Sequence, residues 1–448
     1  TSYPECTSTN SDPFGTNDTI TLPSGTITLT ASLPLITSPL RAVGAGMTNT
    51  VIDGNGSYSV FTNEASLYVS AMRITNYVSH AISSTDSDLV VSQLDVDGTG
   101  AAPANTPGLP VSGIFYKVDS PASHTVTMSD VYVHDFSNPI DGSAILGIVI
   151  ITGHSGSVSA DMNNVTVSNL DLTGADSQVY GVGFTTGVFS SVGFSPGSIN
   201  ATVNNLTVNK IVSTSNQSAA GVGVLSGVSG GSSSIELKLT NSTVRDVEAP
   251  EHTLFTGLHG SGVFTGGAVA NTNDSVNINI QFTNVVLSNA LNMPAASCDA
   301  VDFGGLIGGT GTATTTITSN GGNLSDDSSC SSYFNKPTDQ NNVSALADTL
   351  APLADNGGFV PTMALLPGSP AIDSGVSVAG LTTDARQATR PQGTAYDSGA
   401  YESPYSKTTA SLAGTGESVI WLSILAGSTL VSAGLCVVVF QRQSAHQR

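Results

Sequence analysis

The chain has 448 residues, of which 10% are charged and 6% aromatic, and its formal net charge is −21, from 12 Lys and Arg against 33 Asp and Glu. Phosphate binding needs clustered Lys and Arg, and none cluster ahead of the C-terminus, so nucleic acid is excluded as a partner. A hydrophobic share of 39% excludes a disordered chain, while 48 glycines amid abundant Ser, Thr, Asn and Val point to many short strands and tight turns, not amphipathic helices.

The chain begins at Thr1 without a leader pattern and is read as either a processed chain or a fragment. Residues 1–16, with Cys6 unpaired, are expected to form a mobile N-terminal segment. From Leu67 to about Asn289 one pattern recurs, an alternating apolar strand entered through a small polar turn. Its copies are SAMRIT (70–75), SQLDVD (92–97), SDVYVH (129–134), SNLDLT (168–173), NNLTVN (204–209), TNSTVR (240–245) and TNVVLS (283–288). Their third residues lie 22, 37, 39, 36, 36 and 43 positions apart. A short coil with loops inserted into later turns explains that series, and repetition at such spacing marks a solenoid.

Alternation places Met72/Ile74, Leu94/Val96, Val131/Val133, Leu170/Leu172, Leu206/Val208, Val244 and Val285/Leu287 inside. Asn169, Asn205, Asn241 and Asn284 fall at one equivalent position, where stacking predicts an asparagine ladder. A second family of segments, AILGIVIITG (144–153), YGVGFTTG (180–187), AGVGVLSG (220–227) and SGVFTGG (261–267), reads as another strand of each coil, with Gly where backbones approach or turn. GVGVLSG is no nucleotide loop, since neither a Lys nor a helix follows and the pattern recurs. The long alternating runs at 234–244 and 276–287 are expected to extend into flaps. The predicted fold is all-β: a right-handed parallel β-helix over 17–290.

The outward positions form two columns, Arg73, Asp95, Tyr132, Asp171, Thr207, Thr243, Val286 and Thr75, Asp97, His134, Thr173, Asn209, Arg245, Ser288. Arg73, Asp95, Asp97, Tyr132, His134 and Asp171 make the candidate ligand face. Two carboxylates on neighbouring coils can act as acid and base, and Asp95 with Asp97 can hold calcium. Against this, Arg73 lies one coil away and can simply pair with both. No catalytic residue, metal site or cofactor is therefore assigned. His124, His154, His252 and His259 read as loop residues at no ligand spacing.

Residues 291–403 read as a C-terminal module covering the last coil, whose open edge otherwise invites aggregation. Cys298 and Cys330 flank one compact segment and can form a disulfide if the chain is exported. Asp373, Asp384, Arg386, Arg390, Asp397 and Glu402 read as turn-forming and ion-pairing groups.

DTITLPSGTITLTASLPLITSPLRAVGAG (18–46) and TVIDGNGSYSVF (50–61) resemble the opening coils of exported bacterial β-helix repeat proteins. PLADNGGFVPTMALLPGSPAIDSG (352–375) and DARQATRPQGTAYDSGAYE (384–402) resemble the choice-of-anchor Q domain, with its GSPAID turn, DxRG-type turn and final GAYE. With the segment holding Cys298 and Cys330, this likeness spans about a quarter of the chain. It departs at Ala385 and Gln387, where that family shows Gln and Gly. The resemblance implies export and surface attachment, with no particular enzymatic activity.

A polar linker over 404–416 ends in Leu412-Ala413-Gly414-Thr415-Gly416, ahead of a predicted transmembrane helix over 417–440 and a short basic tail over 441–448. No residue from Ser418 to Phe440 is charged, and Arg442 and Arg448 follow, so the bulk of the chain is expected outside the membrane. Cys436 within the span is an apolar filler or a lipidation site. The order of motif, span and tail resembles an LPxTG-type sortase signal with Ala413 in place of Pro. That resemblance implies cleavage between Thr415 and Gly416 and transfer of the Thr415 carbonyl to a wall amine, with sortase and a peptidoglycan precursor as partners. The expected role is a cell-wall-anchored adhesin or stalk on the bacterial surface, facing surface glycans or neighbouring cells. The alternatives are a surface polysaccharide lyase or glycoside hydrolase, and a single-pass plasma-membrane protein with its N-terminus outside.

Overall fold

The chain turns a corner of each full coil on a residue in the left-handed backbone region, and these residues stack. A computed structural model describes residues 18–102, 110–174, 178–187, 195–214, 219–249, 261–289, 296–302 and 311–407. Ala71, Gln93, Asp130, Asn164, Asn205, Asn241 and Asn284 occupy the corner, all with φ between 47° and 59°. Asn and Asp tolerate that conformation because their short polar side chains bond locally. The Asn164 Nδ2 donates to Asp130 Oδ1 at 2.9 Å, Asn205 Nδ2 to Asn164 Oδ1 at 3.0 Å, and Asn284 Nδ2 to Asn241 Oδ1 at 2.8 Å. This is a ladder, with Asn164 where Asn169 was expected.

A second left-handed column lies five residues further on, at Asp135, Asn169, Lys210 and Asp246. Asn169 belongs there and donates to Asp135 Oδ1 at 2.5 Å. Both corners are followed by a short apolar alternation, so the pattern occurs twice per coil, and SNLDLT is the second occurrence. In the true register Val131 stands beside Val165, and Tyr132 beside Thr166. Leu170 and Leu172 are buried all the same, beside Phe136 and Asn138.

The described residues are all-β, with one 3-10 turn at Ala347–Thr349 and no α-helix. Two parallel sheets form the walls of a solenoid. A 16-stranded sheet carries Leu67–Thr75, Leu89–Asp97, Ser123–Asn138 and Gly156–Leu172, and thereafter two strands per coil, beginning with Gly197–Asn204 and Thr207–Ser213. An 8-stranded sheet stacks Phe61–Asn63, His80–Thr85, Val111–Val118, Ile145–Thr152, Val179–Thr186, Ala219–Val228, Ser261–Val269 and Ala296–Asp302. The second family of segments read from the sequence lies in this sheet. Ser232–Thr240 and Ser275–Thr283 pair in register with Gly197–Asn204 and Thr312–Ser319, so the expected flaps are wall strands. Their inward residues, such as Ile235, Leu237, Ile278 and Ile280, fill the core, which explains the alternation.

Glycines form a column of close approach in the smaller sheet. A Cβ on Gly147 would stand 2.5 Å from the Gly181 carbonyl oxygen, one on Gly181 2.6 Å from that of Gly221, and one on Gly221 2.7 Å from that of Gly262 and 2.4 Å from Val244 Cγ1. Gly221→Ala is expected to cost about 1–3 kcal/mol by overpacking, since backbone is among the atoms that must move. Gly183→Ala, where the nearest atom is 3.4 Å away, is expected to change stability by less than about 0.5 kcal/mol. Denaturant midpoints of the two variants check this contrast.

At the C-terminal end Phe334 and Cys330 close the core. The Phe334 ring meets Phe282 edge-on at 5.6 Å, and both residues are at most 2% exposed. Cys330 is disulfide-bonded to Cys298 of the last strand in the smaller sheet. Beyond this plug the chain does not stop at the end but runs back along the outer flank of the large sheet. Leu350 O accepts from Arg245 Nη1 at 2.7 Å, Pro361 O from Thr166 Oγ1 at 2.8 Å, and Thr383 O from Asn205 Nδ2 at 3.3 Å. Ala400 N donates to Thr243 Oγ1 at 3.0 Å, while Asn284 exchanges two bonds with the Val376 backbone at 2.7 Å each. The C-terminal segment is thus a strap along several coils as well as a plug. Strand Leu350–Ala354 pairs with Thr362–Leu365 in an antiparallel hairpin within it.

Among the described residues no helix is long and apolar enough to cross a membrane. The predicted span, the LAGTG motif, residues 1–16, Cys6 and Cys436 lie outside the described residues.

Candidate functional site

Strands Leu89–Asp97 and Ser123–Asn138 pair so that Asp95 stands beside Tyr132 and Asp97 beside His134, and Arg73 pairs with Asp95 from the preceding coil. Five of the six residues proposed as a ligand face therefore meet. Asp171 does not join them. It lies past the second corner, beside Ser137 and Val212, because the coil registers on Thr166 and Ser168.

The geometry is a chain of alternating charge. The Arg73 guanidinium is bonded to Asp97, and its Nε lies 3.7 Å from Asp95 Oδ2. The His134 Nε2 contacts Asp95 Oδ1 at 2.8 Å, and Nδ1 contacts Asp135 Oδ2 at 2.8 Å. Ionised carboxylates only accept, so this arrangement favours the doubly protonated, cationic imidazole of His134. Its ring stacks on Tyr132 with centroids 4.0 Å apart. Asp135 was missing from the sequence-derived set, although it directly follows His134.

Burial works against the His134 charge, but the Asp95 and Asp135 carboxylates outweigh it and hold its pKa above the ordinary value. Burial likewise opposes ionisation of Asp97, yet bonds from Thr99 and Arg73 leave its pKa lowered. A raised folded pKa for His134 contributes stability that is full below the unfolded histidine value and is lost as pH rises through the folded one. Thermal midpoints are therefore expected to fall on the alkaline side of the ordinary histidine range, and Asp95→Asn should flatten that fall. NMR titration of the imidazole provides the direct check.

Asp97, His134 and Asp135 offer ligand atoms within 4.8 Å of one another, close enough to share a cation. Arg73 already holds Asp97, and each imidazole nitrogen already has a carboxylate. A metal ion would have to displace a guanidinium and a proton together. Calcium between Asp95 and Asp97, as weighed from the sequence, meets the same guanidinium. Of the other histidines among the described residues, His124 sits in a strand 3.7 Å from Asp88, and His154 lies in a turn 2.6 Å from Asp119.

Further along, the outward column is covered. Thr166, Thr207 and Val286 are 0% exposed and Thr243 is 3% exposed, all beneath the strap. Val286 packs with Leu346, Leu350 and Ile372, and Tyr132 with Val360, Ala385 and Ala400. The apolar Val286 in a polar column was the one sequence signal that this face is buried. Where the strap ends, a cleft of about 400 Å³ opens between Met47 and Thr48 on one side, Gln93, Asp95 and Tyr132 below, and Asp355, Phe359 and Pro361 on the other.

The charged groups of the strap act on its own fold. Asp384 accepts from the backbone of Arg386, Ala388 and Glu402 and from the Arg386 side chain. Asp373 accepts from Ala395 N and Lys407 N, and Asp397 from Asp373 N and Ser403 N. Arg390 and Glu402 form an ion pair at 2.9 Å with both side chains fully buried. The chain matches no protein-family model, no curated protein and no solved structure.

Proposed function

We propose that the chain is an exported bacterial surface protein, a right-handed parallel β-helix acting as a stalk or adhesin and fixed to the cell wall through Thr415. One observation carries this reading over an enzymatic one. The outward column that carries the candidate residues is closed further along by the chain's own strap, and its charged groups engage one another, with Arg73 and His134 bonding Asp95, Asp97 and Asp135. A catalytic pair needs one carboxylate free to exchange a proton with substrate. Here Asp95 is bonded to His134 and Asp97 to Arg73.

Two further features support export and rigidity. The Cys298–Cys330 bond suits an oxidising compartment. The right-handed sense follows from the general rule for crossovers between parallel strands. Wall attachment rests on the LAGTG motif followed by an uncharged run and a basic tail.

Mass spectrometry of protein released from the wall tests the reading. The expected C-terminus is Thr415 carrying a wall peptide. A chain ending intact at Arg448 in the membrane fraction refutes sorting and leaves a membrane-anchored protein.

A further inference from the structure

The cleft at the open end of the strap has a lining that points to one ligand chemistry. Its polar side chains are two carboxylates, one amide and the hydroxyls of Thr48 and Tyr132, and neither Lys nor Arg lines it. Asp95 gives Oδ1 to His134, while Asp355 gives Oδ1 to Gly357 N at 2.9 Å. The second oxygen of Asp95 faces the Arg73 Nε at 3.7 Å, and that of Asp355 makes no hydrogen bond among the described residues. Gln93, held at the left-handed corner with φ 49°, likewise has an amide without a partner among them. Phe359 is 44% exposed on a turn made by Gly357 and Gly358, whose φ of 94° and 85° only glycine adopts readily.

A pyranose ring presents an apolar C–H face and a rim of hydroxyls. An exposed aromatic ring receives the face, and planar carboxylate and amide groups accept from and donate to the rim. A carboxylated sugar would meet Asp355 with no Lys or Arg in the lining to offset it. At Asp95 an ammonium group would meet a carboxylate whose charge is already shared with His134 and Arg73. The volume lies at the small end of the range for ligand sites, which suits one or two sugar rings.

We propose that this cleft binds a neutral hexopyranose of a surface glycan, stacked on Phe359 and hydrogen-bonded by Gln93, Asp95 and Asp355. The proposal rests on the surface-display reading and gives the adhesin its ligand class. Thr48 on the opposite wall adds a hydroxyl.

The test presents the full-length chain to an array of neutral, amino-sugar and uronate oligosaccharides, followed by calorimetric titration of the retained ones. Saturable binding to neutral hexose glycans, and not to uronates, is expected. Phe359→Ala should weaken binding about tenfold and Gln93→Ala about fivefold, whereas Phe359→Trp should stay within about threefold of wild type. Both side chains are at the surface of the cleft, so an unchanged melting profile establishes that the variants fold. The idea is overturned if no neutral glycan is retained, or if Phe359→Ala and Gln93→Ala both bind as wild type does. Retention of amino sugars alone would overturn it in favour of a cation site. None of these outcomes alters the terminus found on wall-released protein, so failure here and failure of wall attachment are read separately.

Discussion

Arg390→Met is expected to lower the stability of the strap by about 3–5 kcal/mol, the usual result of removing one member of a buried ion pair. The guanidinium lies fully buried and bonds Glu402 Oε2 at 2.9 Å, Asp397 O at 2.9 Å and Gly399 O at 2.7 Å. Burial pulls the Arg390 pKa below its ordinary value and pushes those of Asp397 and Glu402 above theirs, despite the pair. Desolvation therefore weighs more than mutual attraction here. Methionine fills similar volume but leaves the Glu402 charge without its counterion and two carbonyls without a donor. Adding Glu402→Leu should recover only part of the loss, because Gln392 N and Asp397 N then lose their acceptor. Hydrogen exchange makes the site of damage visible. Amides around 384–403 should lose protection, and those of Ile145–Thr152 should keep theirs. A loss below about 1 kcal/mol would contradict the argument.

Removing the disulfide with Cys298→Ser and Cys330→Ser should cost about 3–4 kcal/mol, from the chain entropy of a loop closed over 32 residues. The bond joins the last strand of the smaller sheet to the plug that carries Phe334. Both sulfurs lie in the main core, with Cys298 6% and Cys330 0% exposed. Its loss should loosen the plug first and expose the end of the core at Phe282. Binding of a hydrophobic dye before the main unfolding transition is the expected signature, reproduced in wild type by a reductant. Equal denaturant midpoints with and without reductant would show that packing alone holds the plug.

Much of the solenoid was legible because its repeat is written in short-range chemistry. Asn205, Asn241 and Asn284 each announce a left-handed corner, and the alternation after each announces a wall strand. The error at SNLDLT has a physical origin, since Asp135, Asn169, Lys210 and Asp246 make a second corner that looks like the first. Sliding by five residues preserves the apolar pattern, and it moved Asp171 onto a face it does not share. Of the candidate site, Arg73, Asp95, Asp97, Tyr132 and His134 were found because they stand one strand apart. Gln93, Asp355 and Phe359 were not, because no local rule brings residues some 260 positions apart together. The strap's path was hidden for the same reason, as Thr166, Thr207 and Thr243 look like any solvent-facing threonines.

A stack of coils touches only its neighbours, and so it ordinarily frays from an end one coil at a time. The strap changes how such a rod bears load. Its last described residues are tied in by Lys407 N to Asp373 Oδ2 at 2.6 Å and Ser403 N to Asp397 Oδ2 at 2.6 Å, one step from the Arg390–Glu402 pair. Tension entering from the C-terminal side meets these bonds before it reaches any wall strand. The strap then hands the pull to Asn284, Thr243, Asn205 and Thr166 on successive coils. The force is shared in shear across the flank instead of peeling the final coil, as a splint spreads strain along a jointed limb.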